Sequence, residues 1–188
     1  MFNLPNLFLF YRILAVPAFI VAFAQGWHLA SIIIFATAAI SDFFDGYFAR
    51  KQNLVNDFGK LMDPLADKIL TAAAFIVLTV AGVIPAWAVI VIIFREYLVT
   101  GLRGLAASSN KIIAARFSGK LKTFLQMFAI VAYLAIPLFA TEIAALQIAA
   151  NILFYAAVAA TIYSGLEYCW DCRQVFVDSF KPAKKSRG

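Results

Sequence analysis

Four aspartates stand as two pairs in a chain that is otherwise strongly apolar. Asp42 and Asp45 are three residues apart, and Asp63 and Asp67 are four apart. On a helix, either spacing places both carboxylates of a pair on one face. A short connection would make the two helices antiparallel neighbours and bring all four carboxylates to one depth. Their repulsion would call for one or two divalent cations. Oxygen ligands favour Mg²⁺, Mn²⁺ or Ca²⁺ over zinc.

The residues between the two pairs indicate what such a site would bind. Gly46, Ala49 and Gly59 are small and let a flat ligand or a neighbouring backbone approach closely. Arg50 can bind phosphate through its fork of donors. Two metals about 4 Å apart can neutralise a diphosphate, and a remaining carboxylate can accept a proton from an attacking hydroxyl. The pattern predicts a diphosphate substrate with a lipid end. An interfacial salt-bridge cluster with nearby basic residues is the simpler alternative.

The elements that must position these residues are membrane-spanning helices. The chain has 188 residues, of which 64% are hydrophobic and 14% charged, and its mean hydropathy is +0.87. A soluble domain of this size could not bury so much apolar surface. The expected fold is a single all-α integral membrane domain with six transmembrane helices. The predicted spans are approximately 7–24, 29–49, 58–80, 85–105, 124–140 and 143–167.

The distribution of positive charge predicts the orientation of these spans. Lysine and arginine crowd the second and fourth loops and the C-terminal tail, whereas the other three loops contain none. Both termini and the aspartates should therefore face the cytoplasm. The net charge of +6 suits contact with anionic membrane lipids, and nucleic acid is not expected as a partner. Cys169 and Cys172 are interpreted as a pair of reduced thiols.

Eight of these residues resemble, at every position, the signature of the CDP-alcohol phosphotransferase family. The match reads Asp42-x2-Asp45-Gly46-x2-Ala49-Arg50-x8-Gly59-x3-Asp63-x3-Asp67. The resemblance implies that the four aspartates surround two Mg²⁺ or Mn²⁺ ions, with Asp63 shared between the metals and Asp67 as general base. Gly46, Ala49, Arg50 and Gly59 would hold the CDP group. An acceptor hydroxyl would attack the β-phosphorus of CDP-diacylglycerol and release CMP. The family also implies a homodimer.

A second group of basic residues indicates the acceptor. Arg95 and Arg103 are eight residues apart in the fourth span and share a helix face. Arg95 lies about half way along that span, which is a costly place for a charge. Lys120 and Lys122 stand at the start of the fifth span. Together they predict a pocket for a phosphate on the acceptor. A structural pair between Arg95 and Glu96, and simple topology for the lysines, remain alternatives.

Three further stretches are similar to the bacterial phosphatidylglycerophosphate synthase branch of the family. They are "NLPNLFLFYRI", "REYLVTGLR" and "GKLKT", with Phe8 as a minor departure. The resemblance implies glycerol 3-phosphate as acceptor, a site in the bacterial cytoplasmic membrane, and Asn6 bordering the nucleotide. Asn6 could instead cap a helix. Inositol phosphate or phosphatidylglycerol are alternative acceptors, the latter as in cardiolipin synthesis. A divalent-cation transporter is the alternative from another class, although its acidic site would lie nearer the bilayer midplane.

Overall fold

In a computed structural model, the described residues form six α-helices and one short 3₁₀-helix, and they contain no strand. The structure describes the backbone of residues 4–52, 57–108, 116–139 and 143–179. It describes the side chains of residues 10–41, 68–104, 116–139, 144–171 and 173. The helices are α1 (Leu4–Ala24), α2 (His28–Gln52), α3 (Asp57–Val80), α4 (Ala86–Ser108), α5 (Phe117–Ala135), the 3₁₀-helix Ile136–Leu138 and α6 (Ile143–Ser179).

Two of the connections are tight turns that end on a glycine. Gly26 follows α1 with φ of 73°, and its N–H donates to the carbonyl of Phe23 at 3.0 Å. The N–H of Trp27 donates to the carbonyl of Ala22 at 2.9 Å. Gly82 ends α3 with the same pair of bonds at φ of 72°. A left-handed glycine that satisfies the last carbonyls of a helix lets the chain reverse within four residues.

The bundle has an apolar core and an apolar outer surface. Phe19 packs on Phe35 with ring centroids 6.0 Å apart, and Phe75 packs on Phe154 at 6.1 Å. Large apolar side chains also cover the outside; Leu166, for example, is 68% exposed. Several polar side chains are buried instead: Arg12, Ser31, Ser41, Arg95, Lys122, Gln126, Thr161 and Ser164. This distribution suits a protein whose surroundings are lipid, where polar groups must find partners inside.

Helix length and composition agree with a membrane protein. Within the described residues, Phe117–Leu138 and Ala144–Asp171 are long and apolar enough to cross a membrane. Phe10–Ala24, His28–Ser41 and Lys68–Val80 are apolar but shorter over the part that is described. The all-helical prediction is thus confirmed, and the six spans and their orientation stay predictions.

Two helices extend much further than the spans predicted from hydropathy. α5 begins at Phe117, before the span expected from 124, and α6 runs to Ser179, past 167. The predicted fifth span begins after Lys120 and Lys122, but Lys122 is buried inside the bundle and leaves the helix intact. The 37 residues of α6 cover about 55 Å at 1.5 Å per residue. A helix of this length that crosses a membrane extends beyond the hydrocarbon core, which is roughly 30 Å thick.

Candidate active site

The four predicted metal ligands lie on two helices that pack against each other. α2 carries Asp42 and Asp45, and α3 carries Asp63 and Asp67. The backbone is helical at all four positions, so the expected one-face spacing holds within each pair. Their side chains lie outside the described residues, and so do those of the predicted CDP contacts Asn6, Gly46, Ala49, Arg50 and Gly59. The metal and nucleotide assignments therefore stay predictions.

A cavity of about 750 Å³ opens beside these two helices. All four residues predicted to bind the acceptor phosphate line it, namely Arg95, Arg103, Lys120 and Lys122. Lys68 and Arg116 also line it, which makes six cationic side chains among its described residues. Glu96 is the single acidic side chain in that described lining. We call this space the basic cavity; its excess of positive charge suits an anion.

The basic cavity adjoins the ends of α2 and α3 that carry the aspartates. Lys68 lines the cavity and directly follows Asp67 in the chain. Ile40 also lines it and precedes Asp42 by two residues on α2. The Lys68 ammonium donates to the main-chain carbonyl of Glu96 at 3.4 Å, which ties α3 to α4. An anion in the cavity would thus lie beside the proposed metal site.

Arg95 is buried in the wall of the cavity and is only partly hydrogen-bonded by the described residues. It is only 6% exposed, and its Nη1 donates to Oε1 of Glu96 at 3.1 Å. Among the described residues, its Nε and Nη2 have no hydrogen-bond partner. Leaving buried charged donors unsatisfied is costly. Arg95 therefore does pair with Glu96, but this pair uses only one of its nitrogens. The remaining donors are suited to a ligand.

Glu96 holds a second cation from another helix. The ammonium of Lys122 on α5 contacts Oε1 of Glu96, and Lys122 is only 4% exposed. One carboxylate therefore faces both Arg95 and Lys122, and it offsets part of the positive charge. Lys120, two residues earlier on α5, is exposed at the edge of the cavity. Two residues apart on a helix point in nearly opposite directions, which explains why one lysine is buried and the other is not.

Tyr168 on α6 contacts both arginines of α4. The Cζ atoms of Arg95 and Arg103 lie 5.5 Å and 5.1 Å from the centre of its ring. Nη2 of Arg103 also donates a hydrogen bond to the Tyr168 hydroxyl. Tyr168 was not predicted from the sequence, because there it is one more aromatic residue near the end of an apolar helix. Its two arginine partners on α4 stand 65 or more positions away in the chain.

Arg116 closes one side of the cavity and is held by α6. Its Nη1 lies 2.6 Å from Oε1 of Glu167, and its Nη2 lies 2.7 Å from Oδ2 of Asp171. The hydrogen bond to Glu167 raises the pKa of Arg116 above its ordinary value. Ser118 also donates to Glu167. These contacts hold the start of α5 against α6. The carboxylates of Glu167 and Asp171 also offset the positive charge of Arg116.

The shared carboxylate generates a stability prediction. Glu96→Gln should destabilise the protein by about 3 kcal/mol, because it leaves the buried Lys122 without a carboxylate. The double variant Glu96→Gln with Lys122→Met should recover part of that loss, since it removes the uncompensated charge. The measurement is thermal unfolding of the purified protein in detergent.

Glu167→Gln is the matched control for that prediction. Its partner Arg116 is 47% exposed, and solvent screens such an exposed ion pair, so the pair contributes little to stability. The variant should therefore unfold close to the wild type. A double variant no more stable than Glu96→Gln alone would show that the charge of Lys122 is not what Glu96 compensates.

Comparison with known proteins agrees with these features. The family model described as CDP-alcohol phosphatidyltransferase matches residues 2–163. A CDP-diacylglycerol–glycerol-3-phosphate 3-phosphatidyltransferase of Bacillus subtilis is 42% identical, covering 89% of this chain and 94% of its own. The protein of the same name in Rickettsia bellii is 38% identical over 93% and 97%. A probable phosphatidylglycerophosphate synthase of Mycobacterium tuberculosis is 39% identical over 88% and 79%. The chain therefore belongs to the CDP-alcohol phosphatidyltransferase family.

Proposed function

We propose that this protein transfers the phosphatidyl group of CDP-diacylglycerol to glycerol 3-phosphate and so makes phosphatidylglycerophosphate and CMP. The names of its relatives describe this reaction, and the basic cavity is the observation in this chain that supports it. Two buried donors of Arg95 have no hydrogen-bond partner within the described part of the chain, and they lie beside the helices that carry the aspartate signature, where an anion would pair with them. Family membership favours an enzyme over the divalent-cation transporter.

The donor half of the site would be formed by the signature residues. Four carboxylates are a donor set suited to Mg²⁺ or Mn²⁺, so two such ions would be held by Asp42, Asp45, Asp63 and Asp67. When bound, these ions would neutralise the diphosphate of the donor. Gly46, Ala49, Arg50 and Gly59 would contact the CDP group, with Asn6 at its edge. In the reaction that the resemblance implies, the freed proton goes to Asp67.

The bond changes balance without an additional reactant. A hydroxyl oxygen of glycerol 3-phosphate forms a new bond to the β-phosphorus of CDP-diacylglycerol. The bond from that phosphorus to the oxygen shared with the CMP phosphate breaks, and CMP leaves with the electron pair. Asp67 accepts the hydroxyl proton as general base. The lipid keeps its phosphate, which becomes the diester of the product.

The acceptor half of the site would be the basic cavity. A terminal phosphate monoester carries up to two negative charges and several acceptor oxygens, which suits donors from Arg95, Arg103, Lys120 and Lys122. Phosphatidylglycerol offers only a diester with a single charge, so it would use fewer of these donors. Inositol phosphate has the same kind of phosphate but a bulkier body. Glycerol 3-phosphate is therefore the preferred acceptor.

The proposal includes a location and an assembly. The six helices would cross the bacterial cytoplasmic membrane with both termini and the site facing the cytoplasm. CDP-diacylglycerol would enter from the surrounding lipid, and glycerol 3-phosphate from the water. The positive-inside pattern supports this orientation, and the apolar outer surface supports contact with membrane lipids. A homodimer, which the family resemblance implies, is part of the same proposal.

An acceptor assay tests the proposed function directly. The purified protein is supplied with CDP-diacylglycerol, Mg²⁺ and one acceptor at a time, and CMP release is measured. Glycerol 3-phosphate should give at least a tenfold higher rate than inositol phosphate or phosphatidylglycerol. A higher rate with either alternative, or no CMP release above the rate without acceptor, would reject the assignment.

Arg95→Ala should weaken acceptor use selectively. Removing a charged hydrogen-bond donor to phosphate costs about 2 kcal/mol, so the KM for glycerol 3-phosphate should rise by about 30-fold. The KM for CDP-diacylglycerol should change by less than about threefold, since that substrate lies on the metal side. Steady-state kinetics with each substrate varied in turn provides the measurement. Equal rises in both values would indicate a structural role for Arg95.

Asp67→Asn should abolish turnover while the protein stays folded. The amide cannot accept the hydroxyl proton, and loss of a general base costs about 100-fold to 10,000-fold in rate. Nucleotide affinity, measured by CMP titration, should fall much less than turnover. Full activity in this variant would remove Asp67 from its proposed role as base.

A further inference from the structure

Tyr168 stands where three helices meet the basic cavity. Its ring faces Arg95 and Arg103 of α4 at 5.5 Å and 5.1 Å, and its hydroxyl accepts from Nη2 of Arg103. The main-chain N–H of Arg116, at the start of α5, donates to the same hydroxyl at 3.4 Å. Tyr168 is only 1% exposed. One buried side chain therefore contacts two of the cations that face the proposed acceptor phosphate.

Two glycines let the other helices approach this arrangement. A Cβ added to Gly165, three residues before Tyr168 on α6, would lie 3.0 Å from Cγ of Arg95. A Cβ added to Gly119 on α5 would lie 3.8 Å from Nη2 of Arg95 and 3.9 Å from Cε2 of Tyr168. Any side chain at Gly165 would press on the stem of Arg95, so the position of that guanidinium depends on α6.

The two arginines need such a support because they repel each other. Like charges brought close in a poorly solvated site disfavour one another, and among the described residues Glu96 is the carboxylate within ion-pair distance of Arg95. The face of an aromatic ring attracts a guanidinium through its quadrupole. A tyrosine between α4 and α6 can therefore hold both arginines near the cavity without neutralising the charge that binds phosphate, which a second carboxylate would do.

We propose that Tyr168 is a positioning residue that presents Arg95 and Arg103 together to the phosphate of the acceptor. The inference rests on the proposed function, since it assigns that phosphate to the basic cavity. Ring and hydroxyl have separate roles. The ring attracts both guanidiniums, and the hydroxyl fixes the direction of Arg103 through its hydrogen bond.

Tyr168→Leu and Tyr168→Phe separate these two roles. Loss of cation–π support for both arginines should raise the KM for glycerol 3-phosphate by about tenfold in Tyr168→Leu. Tyr168→Phe keeps the ring and loses the hydrogen bonds of the hydroxyl, among them the one from Arg103, so the rise should be about threefold. In both variants the KM for CDP-diacylglycerol should stay within about twofold of wild type. A merely structural residue would not produce this selective order.

Tyr163→Leu is the matched control on the same helix. Tyr163 is 64% exposed on the outer surface and does not line the basic cavity, so both KM values should stay at the wild-type level. Equal rises in the two KM values of Tyr168→Leu would overturn the proposal. If that variant does not fold, Tyr168→Phe decides, and a wild-type KM for glycerol 3-phosphate there would overturn it as well.

Gly165→Ala provides an independent arm because it removes no functional group. The added methyl should displace Arg95 and raise the KM for glycerol 3-phosphate by about threefold or more, with no matching rise for CDP-diacylglycerol. The wild-type assay separates this inference from the proposed function. If the wild-type protein is inactive with glycerol 3-phosphate, the proposed function itself is rejected. If the wild-type protein is active but the Tyr168 variants raise both KM values equally, only the positioning role is rejected.

Discussion

The buried guanidinium of Arg95 is the constraint around which the rest of the site is arranged. An arginine inside an apolar bundle is costly unless its charge and donors are matched. Oε1 of Glu96 accepts a hydrogen bond from Nη1 of Arg95 at 3.1 Å, and the ring of Tyr168 lies against the same guanidinium. Among the described residues, two donors remain unsatisfied. The helices around Arg95 therefore enclose a cavity whose excess of positive charge suits an anion.

α3 links this cavity to the aspartate signature. Asp67, the proposed base, and Lys68, which lines the basic cavity, are consecutive residues. In glycerol 3-phosphate only a few bonds separate the phosphate from the attacking hydroxyl, so phosphate site and base must be close neighbours. The contact of Lys68 with the carbonyl of Glu96 ties α3 to α4. The proposed donor and acceptor sites can therefore open into the same space, and the acceptor need not be long to reach from one to the other.

Much of the fold, and part of the site, was predictable from the chain. Apolar runs of membrane length predicted six helices, and the eight-residue spacing of Arg95 and Arg103 predicted their common face on the same cavity. Helix ends were less predictable: the fifth span was predicted to begin after Lys120 and Lys122, whereas α5 begins at Phe117 and Lys122 is buried against Glu96 inside the bundle. Tyr168 was missed because its important contacts are with arginines on another helix, and no local sequence pattern indicates such contacts.

Helical periodicity and the aspartate signature are local properties, so they can be read directly along the chain. Spacing of three, four or eight residues fixes a shared face whatever the neighbouring helices do. Pairing between helices is different, because it depends on which faces pack and how closely. Only the packed bundle shows that Glu96 serves both Arg95 and Lys122, that Gly165 leaves room for Arg95, and that Tyr168 backs both arginines. Because these side chains are buried, their pairing strongly constrains how the helices pack, since an unpaired charge is costly away from water.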